Sequence, residues 1–271
     1  MPMPVDRIEG VGQREVVDVT GDVATVRQDL LAEEVPLAIH CNSEPLAVMM
    51  VSPCDLEDFA HGFALTELGI TAGDLVSVDV QRLLEGIQLD LRTRHPLPAR
   101  ATDQQRWLPG RSGCGICGNR HLENVIKRPE VVGEGRFIAS SALEVALVGL
   151  EQRQPLNAAT GAVHAAAWAR ADGKVVLLRE DVGRHNALDK LIGAMRREGI
   201  DPASGFALIT SRASYEMVAK AAIAGIPLLA AMSAPTALAV DLANGCGMTL
   251  VGFMRPGRHV VYGHPERMTP A

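Results

Sequence analysis

The sequence predicts a mixed α/β protein: a layered α/β domain over residues 129–271 and a smaller α+β domain over 15–128, preceded by a loose tail over 1–14. Three observations predict it. After Lys174, apolar runs of strand length alternate with helical segments through short connections, the pattern of a layered domain with substantially parallel strands. The first half instead holds paired strand-length runs around one helical segment. Between them, Arg94–Gly113 carries prolines and arginines without a period, and reads as a long, flexible joining loop that leads into two cysteines.

The elements follow in chain order. Val35–His40 and Leu46–Val51 flank Asn42-Ser43, a hairpin signal. Ser52-Pro53 predicts a helix start, with Ser52 as cap and Asp55 three residues on. Leu56, Phe59, Ala60, Phe63 and Ala64 share one face at helical spacing, and Gly69 marks the stop. Val76–Leu84 and Ile87–Leu91 form a second hairpin around Glu85-Gly86, with Ile87, Leu89 and Leu91 turned inward. Ser141 and Glu144 have the spacing of a capping box for a helix carrying Leu143, Leu147 and Leu150. Lys174–Leu178 is a strand, and the polar loop 180–186 leads into a helix that ends at Gly199. Strand Phe206–Thr210 precedes helix Ser214–Ala224, closed by Gly225. Strand Ile226–Met232 precedes helix Thr236–Ala243, and Thr249–Met254 is a further strand.

Composition narrows the function. Hydrophobic residues make up 47% of the 271 and aromatics only 3%, so the core rests on Ala, Val, Leu and Ile. No apolar run is long enough to cross a membrane. Met1–Gln13 lacks the basic start and apolar stretch of a secretory signal, so a cytoplasmic protein is expected. A net charge of −6 argues against a nucleic-acid partner. Five cysteines are an odd number and argue against a disulfide framework. Cys41, Cys54 and Cys246 read as small packing residues.

Cys114 and Cys117 stand apart from these three. They sit in Ser112-Gly113-Cys114-Gly115-Ile116-Cys117-Gly118-Asn119, where two intervening residues let the sulfurs approach and glycine leaves the backbone free. Eight Lys and Arg residues between Arg92 and Arg128, against two acids, surround the pair. Cations nearby favour thiolate and attract anions. Zinc would need four ligands; His121 offers a third and no fourth follows, so no structural metal is expected. A reactive thiol loop and a structural pair both remain open on these residues alone.

Other constellations occur in the second half. Thr210–Ser214 and Met232–Thr236 put small polar residues where a strand gives way to a helix, a place suited to phosphate or to plain capping. Ser211 and Arg212 are the candidates there. Glu180, Asp181, Arg184 and His185 crowd four ionisable groups into one loop, as a site or as a salt-bridged connection. His164 precedes an apolar run and fits a structural histidine. Phe253-Met254-Arg255-Pro256-Gly257-Arg258 puts two guanidinium groups on a strand end and turn, able to grip phosphate or simply to face solvent.

Together these segments resemble the formate dehydrogenase accessory sulfurtransferases, the FdhD family. The strings Glu180–Lys190 (Glu-Asp-Val-Gly-Arg-His-Asn-Ala-Leu-Asp-Lys) and Ser211–Met217 (Ser-Arg-Ala-Ser-Tyr-Glu-Met) carry the resemblance most specifically. Glu33–Leu37, Ser112–Gly118, His164–Trp168 and Leu250–Arg258 add to it. The resemblance implies a sulfurtransferase whose larger domain is cytidine-deaminase-like, here without that fold's zinc signature. It implies a sulfur carrier that takes a persulfide from a cysteine desulfurase. The sulfur then passes to the molybdenum (or tungsten) bis-guanine-dinucleotide cofactor that formate dehydrogenase requires. Cys114 maps to the persulfide carrier, with Cys117 beside it. Phe253, Met254, Arg255, Pro256, Gly257 and Arg258 map to the cofactor-binding stretch, with Ser211 and Arg212 a second choice for the guanine nucleotide and GDP as a mimic. A homodimer is expected by the same analogy. The alternatives are a cofactor-binding chaperone without sulfur transfer and a zinc-bound interaction module.

Overall fold

The computed structural model describes residues 8–97 and 129–269. The dithiol at Cys114 and Cys117, and most of the long loop before it, lie outside the described residues.

The chain opens with a two-stranded antiparallel ribbon, β1 (Val11–Thr20) and β2 (Val23–Ala32), turning at Gly21 with φ 60°. Pairing begins at Val11, within the stretch expected as a tail, because Val11 and Ala32 already face each other. A four-stranded sheet follows, in the order β4 (Glu44–Val51), β3 (Val35–Cys41), β6 (Ile87–Thr93), β5 (Leu75–Arg82). Both expected hairpins are present, and β3 pairs with β6 in parallel. Helix α1 (Leu56–Thr66) covers one face through Leu56, Phe59, Ala60, Phe63 and Ala64, all buried.

This helix starts later than the local pattern predicts. Asp55, not Ser52, is its N-cap, in a left-handed conformation and without a side-chain capping bond. Ser52 is drawn away by the second half of the chain. Its N–H donates to Asp181 at 3.0 Å, its hydroxyl accepts from the Val182 N–H at 3.1 Å, and its carbonyl accepts from Lys190 at 3.1 Å.

In the second half, β7 (Ile138–Ala139) leads into α2 (Ser140–Glu151), then α3 (Pro155–Thr160), β8 (His164–Arg170), β9 (Val175–Asp181) and α4 (Arg184–Arg197). Next come β10 (Gly205–Ile209), α5 (Tyr215–Ile223), β11 (Leu228–Ala231), α6 (Ala237–Gly245), β12 (Thr249–Arg255), β13 (Arg258–Gly263) and β14 (Met268–Thr269). The short β14 pairs with β7. The capping box expected at Ser141 does not form: α2 begins at Ser140 behind Ala139, with no side-chain cap.

Six strands form the central sheet in the order β13-β12-β11-β10-β8-β9. The expectation of substantially parallel strands needs correction. Only the β10–β11 and β11–β12 pairs are parallel, and antiparallel hairpins flank them on both sides, although β9 points the same way as these three. The physical reason is connection length. Helical crossovers join β10, β11 and β12, whereas β8–β9 and β12–β13 are joined by tight turns, which only antiparallel strands can use.

Both faces of this sheet are buried, so its strands read as unbroken apolar runs. Ala166, Trp168, Ala207, Ile209, Leu229 and Ala231 pack toward α4, α5 and α6. Ala167, Ala169, Phe206, Leu208, Leu228 and Ala230 pack toward α2 on the opposite face. The alternation is the two-residue period of a strand. No helix among the described residues is long and apolar enough to cross a membrane.

The two halves meet along α1 and α4. A Cβ on Gly62 would stand 1.9 Å from the Asp189 carbonyl oxygen, and one on Gly193 1.7 Å from that of Asp58. The helices therefore cross backbone to backbone. Around the crossing, Asp58 receives Arg179 and Arg197, each at 2.7 Å. Lys220 of α5 reaches Asp189 and Glu67, each at 2.7 Å, and Thr66 at 2.9 Å. Burial opposes the Lys220 ammonium, but the two carboxylates outweigh it and raise its pKa.

Candidate functional site

Ligands of open α/β sheets bind outside the carboxyl ends of the parallel strands. At that edge three connecting segments lie side by side. Met232 donates its N–H to the Ile209 carbonyl, Ala213 bridges Pro235, and Phe253 donates its N–H to the Ser233 carbonyl at 3.2 Å. The stretches Ser211-Arg212 and Phe253–Arg258 are thus brought to one edge, two strands apart. Ser211 is buried, its hydroxyl donating to the Arg212 carbonyl at 3.1 Å, while Arg212 is exposed.

The C-terminal stretch is less a loop than a strand end. Phe253, Met254 and Arg255 belong to β12, Pro256-Gly257 makes the turn with Gly257 at φ 71°, and Arg258 opens β13. Phe253 itself has φ 52°, a left-handed conformation uncommon outside glycine. Such strain concentrates at functional positions. Met254 is buried in the core, while Arg255 bonds the Met232 carbonyl across the edge. Arg258 is exposed.

The ionisable string 180–190 divides into scaffold and site. The Glu180 carboxylate accepts from Leu156 and Asn157 at 2.9 and 2.8 Å, capping the start of α3. Burial raises its pKa, and these two N–H groups oppose the rise. Asp181 and Lys190 form an ion pair at 2.7 Å with both side chains 0% exposed. Asp181 also accepts from Gly183 and Asn186. Arg184 and His185, in the first turn of α4, do different work. His185 Nε2 lies 2.8 Å from Glu216 Oε2, at the first turn of α5. His164 begins β8 beside them, opposite Asp181 in register.

Burial first, then the charges of Arg184 and His185, hold the His164 pKa below the ordinary histidine value; Asp181 pulls the other way. The folded protein therefore resists a proton that the unfolded chain accepts. Stability conferred by neutral His164 is full above the ordinary histidine pKa and declines as pH falls toward the lowered one. A His164→Asn variant should show a shallower loss of thermal midpoint over that window. An unchanged slope would remove His164 from the account.

Cys41, Cys54 and Cys246 are buried, and burial pushes each thiol pKa up, as packing residues require. The sequence places Ser214 at a strand-to-helix junction; the pairing of Glu216 with His185, between residues 31 positions apart, has no local signal.

Residues 32–269 match the FdhD/NarQ family. The chain belongs to that family. It is similar to the sulfur carrier protein FdhD of Xanthomonas euvesicatoria pv. vesicatoria, 57% identical over 251 residues, which span 92% of this chain and 88% of the relative. It is 51% identical over 241 residues to the protein of the same name from Cupriavidus necator, with 89% and 84% covered. Among solved structures, a protein described as a formate dehydrogenase accessory protein, from Desulfotalea psychrophila, superposes with a TM-score of 0.75. That match has 24% identity and covers 96% of this chain and 99% of the other. At that identity the likeness speaks for the fold alone. Within the string 180–190, Glu180, Asp181, Asn186, Asp189 and Lys190 are buried and bonded, while His185 pairs with Glu216 at the sheet edge.

Proposed function

We propose that this protein is a cytoplasmic sulfur carrier for the maturation of formate dehydrogenase. The observation that carries the reading is identity of 51–57%, over about nine-tenths of the chain, to proteins named sulfur carrier protein FdhD. The chemistry starts at Cys114. Its thiolate attacks the terminal sulfur of a persulfide on a cysteine desulfurase; the S–S bond breaks, the donor thiolate leaves, and Cys114 holds the extra sulfur. The Cys117 thiolate then attacks the inner sulfur of Cys114, releasing hydrosulfide toward the metal of the cargo. A Cys114–Cys117 disulfide is left, which a cellular dithiol reduces for the next cycle.

The cargo in this reading is the molybdenum (or tungsten) bis-guanine-dinucleotide cofactor, held as a substrate at the carboxyl edge of a deaminase-like sheet. Arg255 and Arg258 are the phosphate contacts, and the Pro256-Gly257 turn sets the backbone between them. A homodimer completes the proposal.

Mass spectrometry tests the first step. After incubation with a cysteine desulfurase and cysteine, the peptide containing Cys114 should gain the mass of one sulfur atom, lost again on treatment with dithiothreitol. A Cys114→Ala protein should gain nothing there and fail to support formate dehydrogenase activity. An unmodified Cys114, or full activity with Cys114→Ala, would favour a carrier of cofactor alone.

A further inference from the structure

A sheet ordinarily covers an apolar face and protects its edges, and the β1–β2 ribbon does neither. Among the described residues, each of its strands pairs only with the other. The pairing runs without a bulge from Val11–Ala32 to Thr20–Val23. A lone two-stranded ribbon is at best marginally stable in water. Every residue from 19 to 28 is exposed, so only the base of the ribbon packs on the body, against α3. Val17, Val19 and Val26 are 63%, 66% and 65% exposed. The register puts them on one face, with Val17 opposite Val26 and Val19 opposite Ala24.

Free strand edges are templates for another chain, and proteins that stay apart blunt them with prolines, lysines, bulges or short length. Neither strand holds a proline or a lysine, and each is ten residues long. The order of residues along β2 selects the mate. Two copies of β2, set antiparallel about a two-fold axis at Gln28, bring Arg27 of each opposite the partner's Asp29. Val26 then faces the partner's Leu30, and Ala24 the partner's Ala32. Arg14 stands opposite Asp29 within each ribbon, so charges of opposite sign alternate across the joint. Centred on Arg27 or on Asp29 instead, the axis would set like charges against each other, which fixes the register. The outer edge of β1 is a poorer mate. Antiparallel about Val16, it sets Glu15 against the partner's Val17 and Gln13 against the partner's Val19.

We propose that the free edge of β2 is a docking surface for a second copy of this chain. The two ribbons join edge to edge, antiparallel about Gln28, into one four-stranded sheet in the order β1-β2-β2-β1. Val17, Val26 and the partner's Leu30 then share one apolar row, and four strands reach the stability that two lack. The contact uses the same surface on both copies, as a two-fold dimer requires. The inference rests on the proposed homodimer, for which it supplies the surface; sulfur transfer by Cys114 stands or falls separately.

Light scattering after gel filtration of the whole protein should give twice the mass of one chain. Arg27→Asp sets carboxylates against each other at two places and should weaken association about tenfold or more. Adding Asp29→Arg restores opposite charges and should recover the dimer, with circular dichroism reporting that each variant is folded. Gln28→Cys, in a Cys114→Ala/Cys117→Ala background, sets the two introduced side chains directly opposite, with Cβ atoms about 5 Å apart. It should cross-link two chains on mild oxidation, whereas Gln13→Cys, on the far strand, should not. A monomer would overturn both the inference and the homodimer. A dimer without the cross-link, or one as tight in Arg27→Asp as in the wild type, would overturn the inference and leave the homodimer to another surface.

Discussion

A Gly193→Ala variant is expected to lose about 3 kcal/mol of stability or more, at the upper end for overpacking a closed interior. The added methyl carbon would lie 1.7 Å from the Asp58 carbonyl oxygen and 2.8 Å from the Gly62 nitrogen. Both are backbone atoms of α1, so no side chain can swing aside. Relief requires the two helices to separate, and with them the ion pairs of Asp58. Urea denaturation followed by circular dichroism measures the effect. Gly245→Ala, in α6 with open space around it, serves as the control and should shift the midpoint little. Equal midpoints for the two variants would show that the helices do not cross this closely.

The second large effect is expected from Lys220→Met. Asp189 is buried and stands within 2.7 Å of the Lys220 ammonium, with Glu67 on its other side. Removing the cation leaves the Asp189 carboxylate in the interior without its counter-charge, which costs about 3–5 kcal/mol. Burial already raises the Asp189 pKa in the native protein. Without Lys220 that pKa rises further, so the variant's deficit should be greatest at neutral pH and shrink as acid neutralises Asp189. Adding Asp189→Asn should recover part of the loss. Denaturation midpoints of the single and double variants, compared across pH, decide it; a single variant as stable as wild type would show the cluster to be dispensable.

The strands and helices of the core are legible in the sequence because burial imposes a period. Ile87, Leu89 and Leu91 alternate with wetter neighbours, and Phe59 with Phe63 marks a helix face; each of these five is buried. Helix starts were less legible. Ser52 has the local chemistry of a cap, but Asp181, Val182 and Lys190 compete for its polar atoms from about 130 positions away. A local pattern carries no trace of such a competitor. The direction of the flanking strands was hidden for a similar reason: an apolar run reads alike whether its neighbour runs parallel or antiparallel.

The candidate site was legible as two separate strings, 180–190 and 211–217, each dense in polar groups. Their meeting across α4 and α5 was not, since it depends on strand order. Nor does spacing tell a carboxylate that caps a helix, as Glu180 does, from one that pairs with a histidine of another helix, as Glu216 does. Only the fold supplies that distinction, through what each oxygen touches.

The glycine crossing has an evolutionary corollary. Gly62 and Gly193 touch each other's helices, so neither half can drift in shape alone. A hybrid gene splicing the first half of one relative to the second half of another should yield soluble product only when both parents keep the same pair of small residues at this seam. Lineages of the family would then inherit the two halves as a single block.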